Sequence, residues 1–351
     1  MSNLGRHTGM TDTGRKRRHN EDSYVVAPPL FAVADGMGGA NAGEVASGLA
    51  VETLREGSGN DSAGERFVVS LIQEANRRVY QRQTDDETAS GMGTTMTVAL
   101  LEDSIVRFGH VGDSRAYLYR DGEIRQLTDD HSLVGELVRS GKISAEEAET
   151  HPQRSVITRA LGTDPDVDVD TFTVDAQPGD LFLLCSDGLY SMVGTDKILD
   201  LLRTNRNDLD TAAKQLISAA NRKGGDDNIT VVAFEIARPG QETARLPAAA
   251  APTEAAEEVP PDEEDTLDES QGVPAVTTQV ISTKDLQAFR DAQAQDEQYT
   301  PKEFAPEHEP DDIEELLAEE DRGRGRAVAV TLAVAAILAA VAVALYFLDV
   351  F

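Results

Sequence analysis

The sequence predicts an α+β domain that is followed by an acidic tract and an apolar C-terminal segment. Three observations support this prediction. Short apolar runs joined by tight polar turns between residues 94 and 119 indicate antiparallel strands. Amphipathic stretches with helical spacing lie on both sides of these strands, at 42–56, 66–82, 196–203 and 210–223. The composition then changes sharply after residue 237.

Charge is distributed unevenly along the 351 residues. Residues 1–237 contain 38 acidic and 24 basic side chains, whereas residues 238–321 contain 24 acidic and only 5 basic ones. We therefore predict a folded domain at 1–237 and a disordered, alanine- and proline-rich linker at 238–326, which cannot bury enough apolar surface to fold alone. The linker accounts for much of the net charge of −31. Nucleic-acid binding is not expected from such a balance.

The C-terminal segment 327–348 has 22 residues and no charge. As a helix it would be about 33 Å long, enough to cross a bilayer, and we predict a transmembrane helix rather than a buried globular one. Three arginines precede it and only residues 349–351 follow, as a short extracytoplasmic tail. The positive-inside rule then predicts a single-pass protein of the cell membrane with residues 1–326 in the cytoplasm. Residues 1–18 lack the apolar core of a signal peptide.

The first elements are predicted as two strands and two helices. Ser23–Ala27 and Leu30–Ala34 are apolar runs typical of strands, and the second is expected to end at Asp35. A helix is predicted at Ala42–Glu56, with Val45, Leu49 and Val51 facing inward. A second helix at Arg66–Arg82 places Phe67, Leu71, Ala75 and Val79 on one face.

The next strands are expected at Thr94–Leu101, Ile105–Val111 and Ala116–Tyr119. A polar stretch of some forty residues then separates them from the next core strand. We interpret residues 128–168 as a mobile flap, because long polar excursions between core strands are usually functional. Ser132 and Ser144 are suitable caps for short helices there, and His151 before a proline is expected to be a turn residue rather than a metal ligand.

The last part of the folded domain returns to core elements. A strand is predicted at Asp180–Cys185, and its single cysteine is expected to be a buried thiol without a partner. The helices Asp196–Arg203 and Asp210–Lys223 follow, and a final strand is expected at Ile229–Ile236.

Four aspartates recur at predicted strand ends beside glycine or asparagine. They are Asp35, Asp113, Asp187 and Asp227. Oxygen ligands without a cysteine or histidine cluster favour Mg²⁺ or Mn²⁺ over zinc. The carbonyl of Gly36 is a further candidate ligand, because glycine allows close approach of the backbone. Four coincidental turns would be the alternative explanation.

A mixed-charge segment at residues 16–22 precedes the first predicted strand. One of its guanidinium groups could bind a phosphate through two hydrogen bonds while Glu21 and Asp22 face a metal through water. A solvated surface turn would explain the same residues, so the segment alone decides nothing.

Taken together, these motifs resemble the metal-dependent protein phosphatase family, protein phosphatase 2C, and within it the bacterial serine/threonine phosphatases. The resemblance covers residues 5–237 and excludes the linker. It implies a four-layer α-β-β-α sandwich of two antiparallel sheets, with metal ions at one edge. The matching stretches, in family order, are Arg17–Asp22, Asp35–Gly39, Gly93–Thr95, Gly112–Ala116, His151–Ser155, Ser186–Leu189 and Asp227–Asn228.

The resemblance also implies roles for individual residues, with two or three Mn²⁺ or Mg²⁺ ions per domain. It implies that Asp35 is the bridging ligand of two ions and that Arg17 binds the phosphate group of the substrate. It assigns a third ion to Asp113, which Ser155 of the flap would join. The remaining implied ligands are Asp187 and Asp227 for one ion, the Gly36 carbonyl for the other, and Glu21 and Asp22 through water.

The implied activity is hydrolysis of phosphoserine and phosphothreonine by a hydroxide that bridges two metal ions. Some family members have a histidine directly after the Asp-Gly pair, but here Met37 occupies that position and has no proton to donate. A water on a metal would then protonate the leaving group. The expected partners are phosphorylated cytoplasmic proteins, including membrane-bound serine/threonine kinases, and the catalytic domain is expected to be monomeric.

Other functions fit the sequence less well. A nucleotide-binding enzyme is disfavoured, because Met37 stands where an ATP-lid motif requires glycine and the chain has no lysine-bearing phosphate loop. A membrane-tethered pseudophosphatase that binds phosphoproteins without turnover remains the alternative. A narrower phosphatase acting on a sigma-factor regulator is also open. In the linker, 284–294 and 311–321 have helical character and are either docking segments or part of a solvated spacer.

Overall fold

The computed structural model describes residues 3–38, 42–58, 63–86, 89–238 and 279–280. The helices are α1 (Ala42–Gly57), α2 (Glu65–Asp85), α3 (Leu133–Arg139), α4 (Ala145–Glu149), α5 (Asp187–Tyr190), α6 (Thr195–Thr204) and α7 (Leu209–Arg222). The strands are β1 (Leu4–Asp12), β2 (Asp22–Ala27), β3 (Leu30–Met37), β4 (Gly93–Thr94), β5 (Met96–Glu102), β6 (Ile105–Val111), β7 (Arg115–Arg120), β8 (Glu123–Gln126), β9 (Val156–Ile157), β10 (Asp170–Asp175), β11 (Leu181–Cys185), β12 (Ile229–Ile236) and β13 (Gln279–Val280).

Two antiparallel sheets form the centre of the fold. One has the strand order β1-β12-β11-β7-β8, and the other has the order β10-β6-β5-β3-β2, with β4 paired to β3. The two sheets face each other across a core of large apolar side chains, in which Phe31 and Phe234 stack at 4.2 Å between ring centroids. The predicted α+β class with two antiparallel sheets is confirmed.

Helices cover the outer faces of both sheets. Ala46, Ala50 and Leu54 of α1 and Ile72 of α2 pack with Ala32 and other side chains of the second sheet. On the other side, α6 and α7 pack against β11 and β12. Cys185 is fully buried in this layer and forms no disulfide, as predicted, and burial raises the pKa of its thiol to about 12.

Some details of the sequence prediction were wrong. Val45 was expected to face the core, but 42% of it is exposed, because the smaller Ala46 and Ala50 bring α1 close to the sheet. Strand β3 was expected to end before Asp35, but it continues to Met37 because Gly36 and Met37 pair with Thr94 and Gly93. This extra pairing divides the predicted strand Thr94–Leu101 into β4 and β5.

Strands β1, β8, β9, β10 and β13 were not predicted, and β13 lies within the segment 238–326 that was predicted to be disordered. Strand β1 has the sequence LGRHTGMTD, which lacks a clear apolar alternation, and it is held by pairing with β12 from the other end of the domain. Strand β10 similarly depends on pairing with β6.

The predicted linker, apart from residues 279–280, and the predicted transmembrane segment 327–348 lie outside the described residues. Within the part that is described, we find no helix with the length and apolar character needed to cross a membrane. Membrane anchoring therefore stays a prediction.

Candidate functional site

The backbone of Asp35 is fixed by the Gly93–Thr95 motif. Its amide donates to Thr95 Oγ1 at 2.9 Å, and its carbonyl accepts from Thr94 Oγ1 and from the Thr95 amide, each at 2.9 Å. Thr95 Oγ1 also lies 2.7 Å from Ser114 Oγ, beside Asp113. The two threonines therefore connect the Asp35 segment with the Asp113 segment.

Gly36 is required by a close approach of the backbone. A Cβ atom at this position would lie 2.2 Å from the carbonyl oxygen of Gly43 and 2.4 Å from that of Glu21. The Gly36 amide donates to the same Glu21 carbonyl at 3.0 Å. Because any larger residue would separate these segments, Gly36 keeps Glu21 beside Asp35.

The segment that carries Arg17 and Glu21 is held by Asn228. The side chain of Asn228 accepts from the Glu21 amide at 2.7 Å and donates to the carbonyls of Thr13 and His19 at 2.8 and 3.0 Å. Gly14 has a φ of +82°, and a Cβ there would lie 2.3 Å from the Asp227 carbonyl oxygen. These contacts bring residues 13–21 against the loop before β12.

Arg17 and Asp227 meet as a result of this arrangement. The Arg17 Nη2 atom donates to Asp227 Oδ2 at 2.6 Å, and about a fifth of each side chain is exposed. Glu21 lies close enough to Arg17 for the two charges to interact, although burial is the larger influence and raises the pKa of Glu21. The predicted phosphate-binding arginine is thus placed among the predicted metal ligands.

Asp22 is held beneath the site by two hydroxyl groups. Ser186 Oγ and Thr230 Oγ1 donate to its Oδ2 atom at 2.7 and 2.6 Å, whereas its buried Oδ1 atom has no hydrogen-bond partner among the described residues. The pKa of Asp22 is raised to about 7, mainly by burial, with a smaller contribution from the negative charge of Asp227.

Asp187 begins the short helix α5 directly after β11. Its Oδ1 atom is buried and accepts no hydrogen bond within the described part of the chain. Burial raises the pKa of Asp187 well above its usual range, and the negative charges of Asp227, Asp113 and Asp22 add to the effect.

The same carboxylates act on Asp35. Burial is the main cause that raises its pKa well above the usual range. The charges of Asp22, Asp187, Asp227 and Asp113 raise it further. The structure therefore brings the predicted aspartates within electrostatic reach of one another, although they come from widely separated parts of the sequence.

Asp113 is also buried. It accepts a hydrogen bond from Tyr190 Oη at 3.2 Å, and the guanidinium of Arg115 lies 3.6 Å from the centroid of the Tyr190 ring. Burial raises the pKa of Asp113 to about 7.

The flap is connected to the Asp113 segment through His131. The Gly112 amide donates to His131 Nδ1 at 3.0 Å, and the His131 carbonyl accepts from the Thr158 amide at 2.9 Å. Ser155 lies just before β9, and no hydrogen bond joins its side chain to Asp113 in the described structure. Its predicted role at a third ion stays a prediction. His151 lies in a turn, as predicted, and accepts from the Gln153 amide.

Met37 contacts the flap rather than the reacting groups. Its side chain is 4% exposed and packs with Ile157 and Ala160. The residue in the family's histidine position is therefore part of a small apolar contact between the end of β3 and the flap.

The donor groups suit a hard divalent cation. Among the described residues, no three carboxylate, histidine or cysteine side chains are close enough to hold an ion by themselves. Arg17 engages Asp227, two hydroxyls engage Asp22, and Tyr190 engages Asp113. The buried carboxylates nevertheless raise one another's pKa, and one oxygen each of Asp22 and Asp187 has no hydrogen-bond partner among the described residues. A bound divalent cation would stabilise the charged form of these groups.

Sequence reasoning missed Gly14 and the structural roles of Thr94, Thr95 and Asn228. The Gly-Thr-Thr and Asp-Asn motifs were recognised, but a hydrogen bond between distant segments cannot be read from either motif alone. The positive φ of Gly14 had no local signal beyond the residue type itself.

Comparison with known proteins gives consistent matches over the same region. The family model described as Protein phosphatase 2C matches residues 15–229. The serine/threonine phosphatase stp of Listeria welshimeri is 44% identical over 236 residues, which is 64% of this chain and 93% of the relative.

Solved structures match the same part of the chain. The serine/threonine phosphatase PstP/Ppp of Mycobacterium tuberculosis is 38% identical with a TM-score of 0.64, covering 67% of this chain and 100% of that one. A structure of the catalytic domain of PstP in complex with two manganese ions is 36% identical with a TM-score of 0.62, covering 67% of this chain and 99% of that one.

Proposed function

The chain belongs to the protein phosphatase 2C family and is a serine/threonine protein phosphatase, and from that premise we propose that it uses bound Mn²⁺ or Mg²⁺ to dephosphorylate cytoplasmic proteins. The observation that carries the proposal is the group of buried aspartates around Asp35 and Asp187, which raise one another's pKa. Such a concentration of negative charge is unfavourable unless cations bind there.

The number of ions is two or three. A related PstP catalytic domain is in complex with two manganese ions, which supports two ions here. In our proposal their ligands are Asp35, Asp187, Asp227 and the Gly36 carbonyl. Asp22 and Glu21 would act through water. Asp113 would take a third ion, together with Ser155 of the flap.

Bound divalent ions would supply a water of lowered pKa as the nucleophile that attacks phosphorus. Arg17, which contacts Asp227 at the site, would bind the phosphate oxygens and compensate their negative charge. The apolar packing of Met37 against the flap leaves it no part in proton transfer. The proton for the departing serine or threonine oxygen would then come from water.

The segment 327–348 would anchor the protein in the cell membrane, with the catalytic domain in the cytoplasm. The linker of residues 238–326 would let the domain search about 50 Å around its anchor, on the scaling of flexible chains. Membrane-associated serine/threonine kinases are the substrates that such an anchor would favour, because both partners are confined to one surface.

A membrane-tethered pseudophosphatase is the second candidate. It is favoured by the engagement of Asp22, Asp113 and Asp227 with protein groups. Such a protein would bind phosphoproteins without hydrolysing them.

The full-length purified chain should be assayed on p-nitrophenyl phosphate and on a phosphothreonine peptide, with Mn²⁺, with Mg²⁺ and with a chelator. Activity that requires the metal and is lost in Asp187→Asn supports the phosphatase. Asp196→Asn is the matched control, because Asp196 is an exposed carboxylate on the next helix. A folded chain that binds the phosphopeptide but hydrolyses neither substrate would support the pseudophosphatase instead.

A further inference from the structure

A short piece of the acidic linker pairs with the flap. Gln279 and Val280 form strand β13, which runs parallel to β9 with Gln279 opposite Val156 and Val280 opposite Ile157. The pairing joins segments that are more than 120 residues apart in the sequence.

Strand β9 has two edges, and β13 occupies the one that faces away from His131. On the first edge, the Thr158 amide donates to the His131 carbonyl at 2.9 Å, and Ile157 is bridged to Ser132. Backbone groups alternate in direction along a strand. The Thr158 amide points towards His131. The backbone amide and carbonyl of Ile157 therefore point to the second edge, where Val280 lies.

This second edge belongs to the part of the flap that contacts the candidate site. Ile157 is 2% exposed and packs with Met37, which follows Asp35 by two positions in β3. A peptide that lies along β9 therefore runs beside Ile157, whose side chain packs against the end of the strand that carries Asp35.

The linker sequence suits an extended strand at this point only. Six of the eight residues in 276–283 are β-branched, and 273–283 contains no charge, although the surrounding tract 238–321 has 24 acidic side chains. β-Branched residues are favoured in strands. Forty residues lie between 238 and 279, and a flexible chain of that length would have an average end-to-end distance of about 35 Å, enough to reach across a small domain.

We propose that the second edge of β9 is a docking site for extended peptide main chain, and that the linker segment around Gln279–Val280 occupies it until a protein substrate displaces it. Main-chain hydrogen bonds to a free strand edge are a general way to bind peptides. The site would accept uncharged, β-branched residues that flank a phosphoserine or phosphothreonine. The substrate part of this proposal rests on the proposed phosphatase function, whereas the docking of the linker does not.

The test compares the full-length chain with the double variant Gln279→Pro/Val280→Pro. Proline removes the amide donor and is poorly tolerated in a paired strand. Ala255→Pro is the matched control, because it introduces proline elsewhere in the same linker. The first readout is hydrogen exchange at the Ile157 amide, and the second is the KM for a phosphothreonine peptide beside that for p-nitrophenyl phosphate.

If the linker docks, exchange at Ile157 becomes about tenfold faster in the double variant, and a synthetic peptide of residues 274–285 slows it again. The KM for the phosphothreonine peptide falls by about threefold, while that for p-nitrophenyl phosphate, which has no main chain, is unchanged. The control behaves like the original chain in each measurement.

Unchanged exchange at Ile157 in the double variant overturns the docking site. Faster exchange with an unchanged KM for the phosphopeptide overturns the displacement by substrate. A chain without activity on p-nitrophenyl phosphate in any metal contradicts both the proposed function and the displacement of the linker by substrate. Hydrogen exchange at Ile157 still tests the docking of the linker in that case.

Discussion

Arg17 and Asp227 lie 210 positions apart in the sequence, yet their side chains form an ion pair of 2.6 Å at the edge of the sheets. The pairing holds one side of the guanidinium against a candidate metal ligand. Arginine presents several donors in a fixed plane, which suits the oxygens of a phosphate group.

Replacing Arg17 by alanine is expected to lower kcat/KM for a phosphothreonine peptide by about 10- to 100-fold, mainly through a higher KM. Arg17→Lys should recover part of the loss, because it keeps the charge but not the planar pair of donors. Steady-state kinetics with Arg18→Ala as the control test this, since Arg18 is a neighbouring exposed arginine. Unchanged kinetic constants would remove Arg17 from the site.

The charge of Asp22 is expected to lower the free energy of unfolding of the metal-free protein. Its carboxyl is buried and its pKa is raised to about 7, so at pH 8 the folded state holds a poorly solvated negative charge. Asp22→Asn keeps an oxygen for the hydroxyls of Ser186 and Thr230 and should stabilise the chelated protein by about 1–3 kcal/mol. Thermal unfolding at pH 8 in chelator and in Mn²⁺ measures the effect.

In Mn²⁺ the order of stability is expected to reverse, with the original chain more stable than Asp22→Asn. The original chain should gain more from the metal than Asp22→Asn does, because ligands that bind only the folded state stabilise it. Asp196→Asn serves as the control and should follow the original chain in both buffers. A variant that is no more stable than the original in chelator would contradict the predicted cost of the buried charge.

Local patterns in the sequence were sufficient to predict the helices and strands that bury one face, such as β12 and α7. They were also sufficient to identify the aspartates beside glycine as candidate ligands. Chemical type and spacing carry that information. They do not carry the contacts between distant segments: strand β1 forms only because β12 lies beside it, and Asn228 holds residues 13–21 from more than 200 positions away. The interior position of Met37 likewise depends on where the flap folds back.

His110 is a buried histidine that connects two strands and a loop. Its Nδ1 atom lies 2.9 Å from Thr97 Oγ1, and its Nε2 atom lies 3.1 Å from the Asp129 carbonyl. Burial lowers the pKa of His110 to about 4. The unfolded chain therefore binds a proton below about pH 6.5 that the folded chain does not, and stability is lost as the pH falls from 6.5 towards 4.

The expected contribution of His110 is a loss of about 2 kcal/mol in the free energy of unfolding between pH 7.5 and pH 5. Asp22 and Asp113, whose pKa values are raised to about 7, act in the opposite direction over this range. Urea unfolding of the original chain and of His110→Gln, both in chelator, separates the two effects by difference. An equal loss in both proteins would contradict the assignment to His110.

Glu235 is a buried carboxylate far from the candidate site. It is 2% exposed and accepts hydrogen bonds from Arg6 Nε at 2.7 Å, Arg6 Nη2 at 2.9 Å and Arg206 Nη1 at 2.7 Å. It lies seven positions after Asn228, which corresponds to about 23 Å along an extended strand.

Glu235→Gln is expected to lower the free energy of unfolding by about 3 kcal/mol, because the buried guanidinium of Arg206 loses its counter-charge while glutamine keeps the volume. Arg6→Gln should cost less, since 38% of the Arg6 side chain is exposed to water. Urea unfolding measures both variants, and kcat/KM for p-nitrophenyl phosphate at low temperature should match the original chain, because the site lies at the other end of β12. A large loss of activity in a folded Glu235→Gln protein would show instead that this ion pair and the metal edge are coupled through the strand.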